Sequence, residues 1–222
     1  VSFLITPKNI FSAILDFFFP PECLGCGKED FWICPDCRQK IKPDIRRLSA
    51  KTKNIRVIWA LTDYHMPITE KIIRKIKFGY CQDILTDLRP FFEETLPQIP
   101  IPADAVLCPV PLHLFRKNER GFNQAKSIAE EFSRISKVPT QELLKRKRHT
   151  HPQTKLDGEK RRQNLLGAFC LRKKMDQKRE KDSPIILVDD VTTTFSTLEE
   201  CAKTLKKKGF TNISALVIAR SI

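Results

Sequence analysis

Four cysteines and a pair of aspartates carry the chemistry that this sequence is equipped to do. Cys23, Cys26, Cys34 and Cys37 make two Cys-x2-Cys pairs separated by seven residues. Each pair folds as a tight knuckle that turns two thiolates toward one metal, and two knuckles supply the four-thiolate shell that structural zinc prefers. A four-cysteine shell leaves no open position, so its role is to hold structure rather than to catalyse. An iron–sulfur cluster and four unliganded thiols are the competing uses of the same residues. Gly25 and Gly27 stand where a knuckle needs unusual backbone angles. Cys81, Cys108, Cys170 and Cys201 are scattered through apolar surroundings and are expected in the core.

The second centre is the run IILVDDVTTTFSTLEECAKTL. A short apolar strand, Ile185 to Val188, ends in Asp189 and Asp190. Thr192, Thr193, Thr194, Ser196 and Thr197 follow and lead into a helix, Thr197 to Lys208, that stops at Gly209. Open α/β sheets bind ligands at the carboxyl ends of their strands. Carboxylates there accept hydrogen bonds from vicinal sugar hydroxyls. The threonines and the unpaired N–H groups of the helix start suit a phosphate. An ordinary strand-to-helix turn with Asp and Thr caps uses the same residue types.

The elements that must position these groups alternate. Strands are predicted at Val57 to Leu61, Ala105 to Pro109, Ile185 to Val188 and Ile213 to Ala219. Helices are predicted at Thr69 to Phe78, Asp83 to Leu96, Asn123 to Ile135 and Thr197 to Lys208. That order argues for βαβ units and a mainly parallel sheet flanked by helices. Residues 1–22 read as an apolar helix closed by Pro20 and Pro21, 23–40 as the ribbon, 41–56 as a polar linker and 57–222 as the α/β domain.

The 222 residues carry 40 Lys and Arg against 26 Asp and Glu, a formal charge of +14. Such a surplus favours polyanionic partners. Residues 141–182 hold fourteen Lys or Arg and six acids, including the run Lys145, Arg146, Lys147 and Arg148, and the pair Arg161 and Arg162. These six are the candidate contacts to a nucleic-acid backbone. Phe122, Trp32 and Trp59 are the aromatic residues that could stack on bases, with apolar packing as their alternative use. No stretch approaches the roughly 20 apolar residues of a membrane span, and no export signal is evident, so a cytoplasmic location with reduced thiols is expected.

Three blocks give the sequence a family likeness: PVPLHLFRKNERGFNQA, RHTHPQTKLDGEKRRQNLLGAF and the Asp-Asp loop. The last resembles the phosphoribosyl pyrophosphate (PRPP) signature of type I phosphoribosyltransferases. All three, with the ribbon and the apolar helix before it, resemble the ComF family of competence proteins. The resemblance implies a type I phosphoribosyltransferase-like fold, in which Asp189 and Asp190 hold ribose hydroxyls. Thr193, Thr194, Ser196 and Thr197 would hold the 5′-phosphate, with Thr192 beside them as a further PRPP-binding candidate. Pro109, Val110, Pro111 and Leu112 match the pyrophosphate loop. Arg116, Arg120, Asn123 and Gln124 match a mobile loop that closes over it. Magnesium would arrive with PRPP. The sequence departs from the family at Phe195, where Gly is usual, which adds bulk to the phosphate loop and strain if φ is positive.

Two functions stay open at this point. The resemblance implies natural transformation, with single-stranded DNA and PRPP as ligands and a competence helicase as a partner for the ribbon. The alternative is an active phosphoribosyltransferase that passes ribose 5-phosphate to an acceptor; no acceptor site is recognisable in the sequence.

Overall fold

The computed structural model describes residues 20–48, 52–78, 81–112, 122–147, 165–172 and 180–221. In chain order its elements are α1 (Pro35–Arg38), β1 (Arg46–Leu48), β2 (Ile58–Asp63), α2 (Pro67–Phe78), α3 (Cys81–Thr95), β3 (Val106–Pro109), α4 (Gln124–Ser136), β4 (Leu144–Arg146), β5 (Phe169–Leu171), β6 (Ile185–Thr192), α5 (Ser196–Lys206) and β7 (Ile213–Arg220).

Five strands form the main sheet in the order β1-β2-β7-β6-β3. β6 lies parallel to β3 on one side and to β7 on the other, and β7 is parallel to β2. Strands covered on both faces read as continuous apolar runs. Ile185 and Leu187 enter one core while Ile186 and Val188 enter the other. On the first face the sheet meets α5 through Leu198, Cys201, Ala202 and Leu205. On the second it meets α2, α3 and α4, with Phe92 and Phe132 edge to face at 5.1 Å. Burial of each such ring contributes about 1.5–3 kcal/mol. Glu131, 2% exposed, accepts from Arg89 of α3 and Arg134 of its own helix, so the charge entering the α3–α4 contact is paired.

The expected mainly parallel sheet with flanking helices is therefore present, and three details differ from the sequence reading. The segment read as a linker contains β1, which pairs antiparallel with β2 and closes that edge of the sheet. The basic segment contains an antiparallel hairpin, β4–β5, whose Leu144, Phe169 and Leu171 reach the core on the α5 side. β6 runs on to Thr192, so Asp189 and Asp190 sit within the strand rather than after it. Of the residues read as an N-terminal helix, 1–19 lie outside the described residues. Pro20 and Pro21 are not helical, and Glu22 bridges Glu29.

The ribbon is seated on the α/β domain. Ile33, Cys34, Cys37 and Ile41 share one apolar core with Ile72, Ile76, Leu85 and Leu88. One carboxylate fixes the seat. Asp87 Oδ2 accepts from Trp32 N at 2.8 Å and from Ile33 N at 3.0 Å, while Arg38 donates to the Asp87 carbonyl at 3.0 Å. Lys71 donates to the Leu24 carbonyl, and Lys75 stands 4.4 Å over the Trp32 ring.

Replacing Asp87 with Ala strands two backbone donors at this seam, a loss of about 1–3 kcal/mol. Denaturant unfolding should show that loss as a lower midpoint, with Asp87→Asn, which keeps an acceptor oxygen, close to the native protein.

Candidate functional site

The four cysteines of the ribbon converge. All four sulfurs lie within 4.8 Å of one another. A zinc tetrahedron with Zn–S bonds of about 2.3 Å has sulfur–sulfur edges of about 3.8 Å. The Cys26–Cys34 separation is 3.7 Å. The backbone is shaped around the sulfurs. A Cβ on Gly25 would meet Cys37 Sγ at 2.6 Å, and Gly27 turns the first knuckle at φ +79°. Gly27 N donates to the Cys23 carbonyl at 2.8 Å, and Cys34 N points at Cys23 Sγ at 3.4 Å.

The thiols disagree about charge in a way that a dication resolves. At Cys23 burial pushes the pKa up, but N–H groups of Cys34, Gly25 and Cys26 outweigh it and hold the thiol at about 6. Cys37 is pushed up to about 12, by burial first and then by the neighbouring sulfurs. Four thiolates can share this space only around a metal, so the residues fit structural zinc, with Cys23, Cys26, Cys34 and Cys37 as its ligands. Of the other cysteines, Cys108 and Cys201 are buried as expected. Cys170 is only half-buried, because it falls on the outward face of the β4–β5 hairpin.

The second centre forms at the carboxyl end of β6. Asp189 is half-buried, and Asp190 is 3% exposed. Each turns an oxygen back on the chain: Asp189 Oδ1 accepts from Asp190 N at 2.9 Å, and Asp190 Oδ1 from Val191 N at 2.6 Å. The other Asp190 oxygen faces α2 and α4. Lys77 Nζ lies 3.6 Å from it and Gln124 Nε2 3.5 Å. Gln124 is itself buried, and its Oε1 has no partner among the described residues. Asp189 is pushed up to about 8, by burial first and by the Asp190 charge second, against the pull of Lys77 and Arg146. Two acids held this close in a poorly hydrated place are costly to ionise together, and such groups concentrate at functional sites.

Around the acids stand the other residues expected there. Pro109 pairs with Val188 across β3 and β6, and Val110 N donates to the Val188 carbonyl at 2.9 Å. Pro111 is buried and Leu112 half-buried beside them. Asn123 caps α4 and donates from Nδ2 to the Val110 carbonyl, which ties the start of that helix to the Pro109–Leu112 turn. Thr192 is buried in the strand, Thr193 and Thr197 flank the turn half-buried, and Thr194 Oγ1 lies 2.9 Å from Ser196 Oγ. Phe195 precedes α5 at φ 57° and gives it no side-chain cap. The amino end of α5 thus stands at the same end of the sheet as the acids. A bulky residue in this left-handed region stores about 1–2 kcal/mol of strain. Arg116 and Arg120 lie outside the described residues.

The basic run is split by strand geometry. Lys145 and Lys147 are exposed, whereas Arg146 is 8% exposed with its guanidinium 5.4 Å from the Phe169 ring. Arg146 is therefore removed from the candidate DNA surface: alternation along β4 turns it inward, where its charge acts on Asp189. Arg148, Arg161 and Arg162 lie outside the described residues. Lys77 was not among the expected site residues. Its helix is an unremarkable amphipathic one in sequence, and only the packing of α2 against the sheet brings it to Asp190.

The double zinc ribbon domain family matches residues 14–49. Competence protein F of Haemophilus influenzae is 40% identical over 116 residues, which cover 52% of this chain and 50% of that protein. Competence protein ComFC of Bacillus subtilis is 27% identical over 205 residues, covering 90% of this chain and 78% of that one. DNA utilization protein YhgH of Escherichia coli O157:H7 is 28% identical over 213 residues, covering 90% and 89%. The chain is thus similar to competence proteins and to DNA utilization proteins. The matched stretch spans half the length of the Haemophilus protein. Among solved structures, the allosteric regulatory enzyme of purine biosynthesis aligns over 65% of this chain and 30% of its own, with a TM-score of 0.43 and 14% identity. Purine phosphoribosyltransferase from Pyrococcus horikoshii aligns over 62% and 83%, with a TM-score of 0.35 and 16% identity. No helix among the described residues is long and apolar enough to cross a membrane.

Metal analysis of the chain should return one zinc per molecule. Because three of the ligands are buried in the shared core, chelation should lower the thermal midpoint of the whole domain and not of the ribbon alone. Asp189→Asn tests the second centre. A native pKa of about 8 against an ordinary 3.8 means that the folded chain binds the extra proton between those values, so stability falls as pH rises through that window. The Asn variant lacks that loss. Its gain over the native protein should be absent near pH 4 and grow to its full size by about pH 8, read from unfolding midpoints across pH.

Proposed function

We propose that this chain handles single-stranded DNA in the cytoplasm during DNA uptake or use, and binds Mg-PRPP at the Asp189–Asp190 end of its sheet. The observation that carries the phosphosugar half is the convergence at one sheet end of Asp190, Lys77, the buried Gln124 amide and the uncapped start of α5. Carboxylates suit a vicinal diol, a helix start suits a phosphate, and an ammonium beside the acids suits a pyrophosphate oxygen. Phe195 weighs toward holding the ligand rather than turning it over, since its bulk and positive φ stand where a phosphate would be closely wrapped.

The DNA half rests on the +14 charge, on the exposed Lys145 and Lys147 and on what the relatives are called: competence proteins in two cases and a DNA utilization protein in another. Cationic side chains that neutralise phosphates release counterions and make affinity fall with salt. On this reading PRPP is an input that tunes the DNA-bound state, and the ribbon, seated on α3, offers its outer face to a DNA-translocating partner.

The test is fluorescence anisotropy of a labelled single-stranded oligonucleotide, with and without Mg-PRPP. The expected outcome is binding whose affinity shifts with Mg-PRPP in the native chain and not in Asp190→Asn. Lys145→Gln with Lys147→Gln should flatten the log–log salt slope by about 1–1.5, the loss of two contacts to a single strand. An unchanged slope would place the DNA surface elsewhere, and no binding at any salt would remove the DNA half.

A further inference from the structure

The opposite end of the sheet holds a second concavity. A cavity of about 380 Å³ opens where β6 and β7 begin, lined by Arg47, Trp59, the Ile99–Pro102 turn, Asn212 and Ser214. It lies four residues back along β6 from the acids, about 13 Å at strand rise, at the amino ends of the parallel strands. None of the ligand chemistry assigned to Asp189 and Asp190 reaches it.

Its walls differ in kind. Trp59 is half-buried on β2 with its ring against the edge of the core, and the Ile99–Pro102 turn faces it. Arg47 is the cross-strand partner of Trp59, so the two side chains share one face of the sheet. Other guanidiniums nearby are spoken for: Arg46 and Arg220 pair with Asp44, and Arg56 donates to Asn212 Oδ1 at 2.9 Å. Arg47 is exposed and has no hydrogen bond or ion pair among the described residues. The Ser214 hydroxyl and the Asn212 side-chain N–H have no partner among the described residues either, which leaves donors on the floor of the cavity.

An apolar slot with an indole wall, amide and hydroxyl groups at its floor and an unpaired guanidinium at its rim is matched to a flat heteroaromatic ring that carries an anion. The volume suits one such group. We propose that this cavity receives one nucleotide of a bound single strand, its base against Trp59 and its phosphate on Arg47. The proposal rests on the single-stranded DNA reading and adds to it a base-stacking site at the far end of the sheet from the phosphosugar site. Base–aromatic stacking of this kind tolerates any sequence.

The experiment titrates the full chain with oligothymidylate while following tryptophan fluorescence and, separately, anisotropy of the labelled strand. Binding should quench the tryptophan signal in the native chain, and Trp59→Phe should lose that quench. Arg47→Gln, an exposed change that leaves the fold alone, should weaken affinity, and Trp59→Ala should weaken it about tenfold. An abasic strand of equal length should bind without quenching. Strand binding by anisotropy with no Trp59-dependent quench, and with native affinity in Arg47→Gln, would overturn the cavity and leave the DNA reading standing. Quenching by thymidine monophosphate but not by the strand would assign the cavity to free nucleotides and overturn the strand. Absence of any strand binding would remove both.

Discussion

The site depends on one constraint, the burial of β6. Ile185 to Val188 are flanked by a parallel strand on each side and covered by helices on each face. Nothing in that position can tilt or slip without turning an apolar set to the wrong core. The acids that follow in the same strand inherit its rigidity. Their partners arrive from separate directions, Lys77 and Gln124 from the helices on one face and the Arg146 charge from the hairpin near α5 on the other. A pair of carboxylates on a loop could relax away from each other. A pair inside a centrally placed strand cannot, which is why burial and mutual repulsion raise the Asp189 pKa instead of moving its backbone.

The same rigidity makes the phosphate end expensive to build. Phe195 is held at φ 57° between the end of β6 and the start of α5, and its ring packs against the core on the α5 side. Strain at the backbone is offset by apolar contact at the side chain. The consequence is a turn whose shape is set before any ligand arrives, with bulk where a glycine would leave room for the closest approach.

Much of this was legible from residue types. The two Cys-x2-Cys pairs fixed the metal centre because thiolate spacing is local, and the apolar run before Asp189 marked β6 because a strand buried on both faces has no other way to be written. Features that rest on contacts between distant parts of the chain were not legible. β1 hides in a polar stretch because an edge strand needs only one partner and shows water its other side. The β4–β5 hairpin hides under its lysines, and Arg146 could not be separated from Lys145 and Lys147 until the strand assigned alternate residues to opposite sides. Lys77 and Asp87 carry no local signal at all; each matters because of the surface it meets.

Asp87 also changes what the ribbon is. A four-cysteine module on a polar tether would be expected to fold with its metal and swing independently. Here β1 takes that tether into the sheet, and two ribbon N–H groups end on a helix of the main domain. Cys34 and Cys37 are packed against the same apolar side chains that hold α2 and α3 to the sheet. The helix that carries Lys77 also meets the ribbon, since Lys71 and Lys75 of α2 contact it six and two residues before Lys77 reaches Asp190. The two centres recognised separately in the sequence are thus joined by one element of the fold.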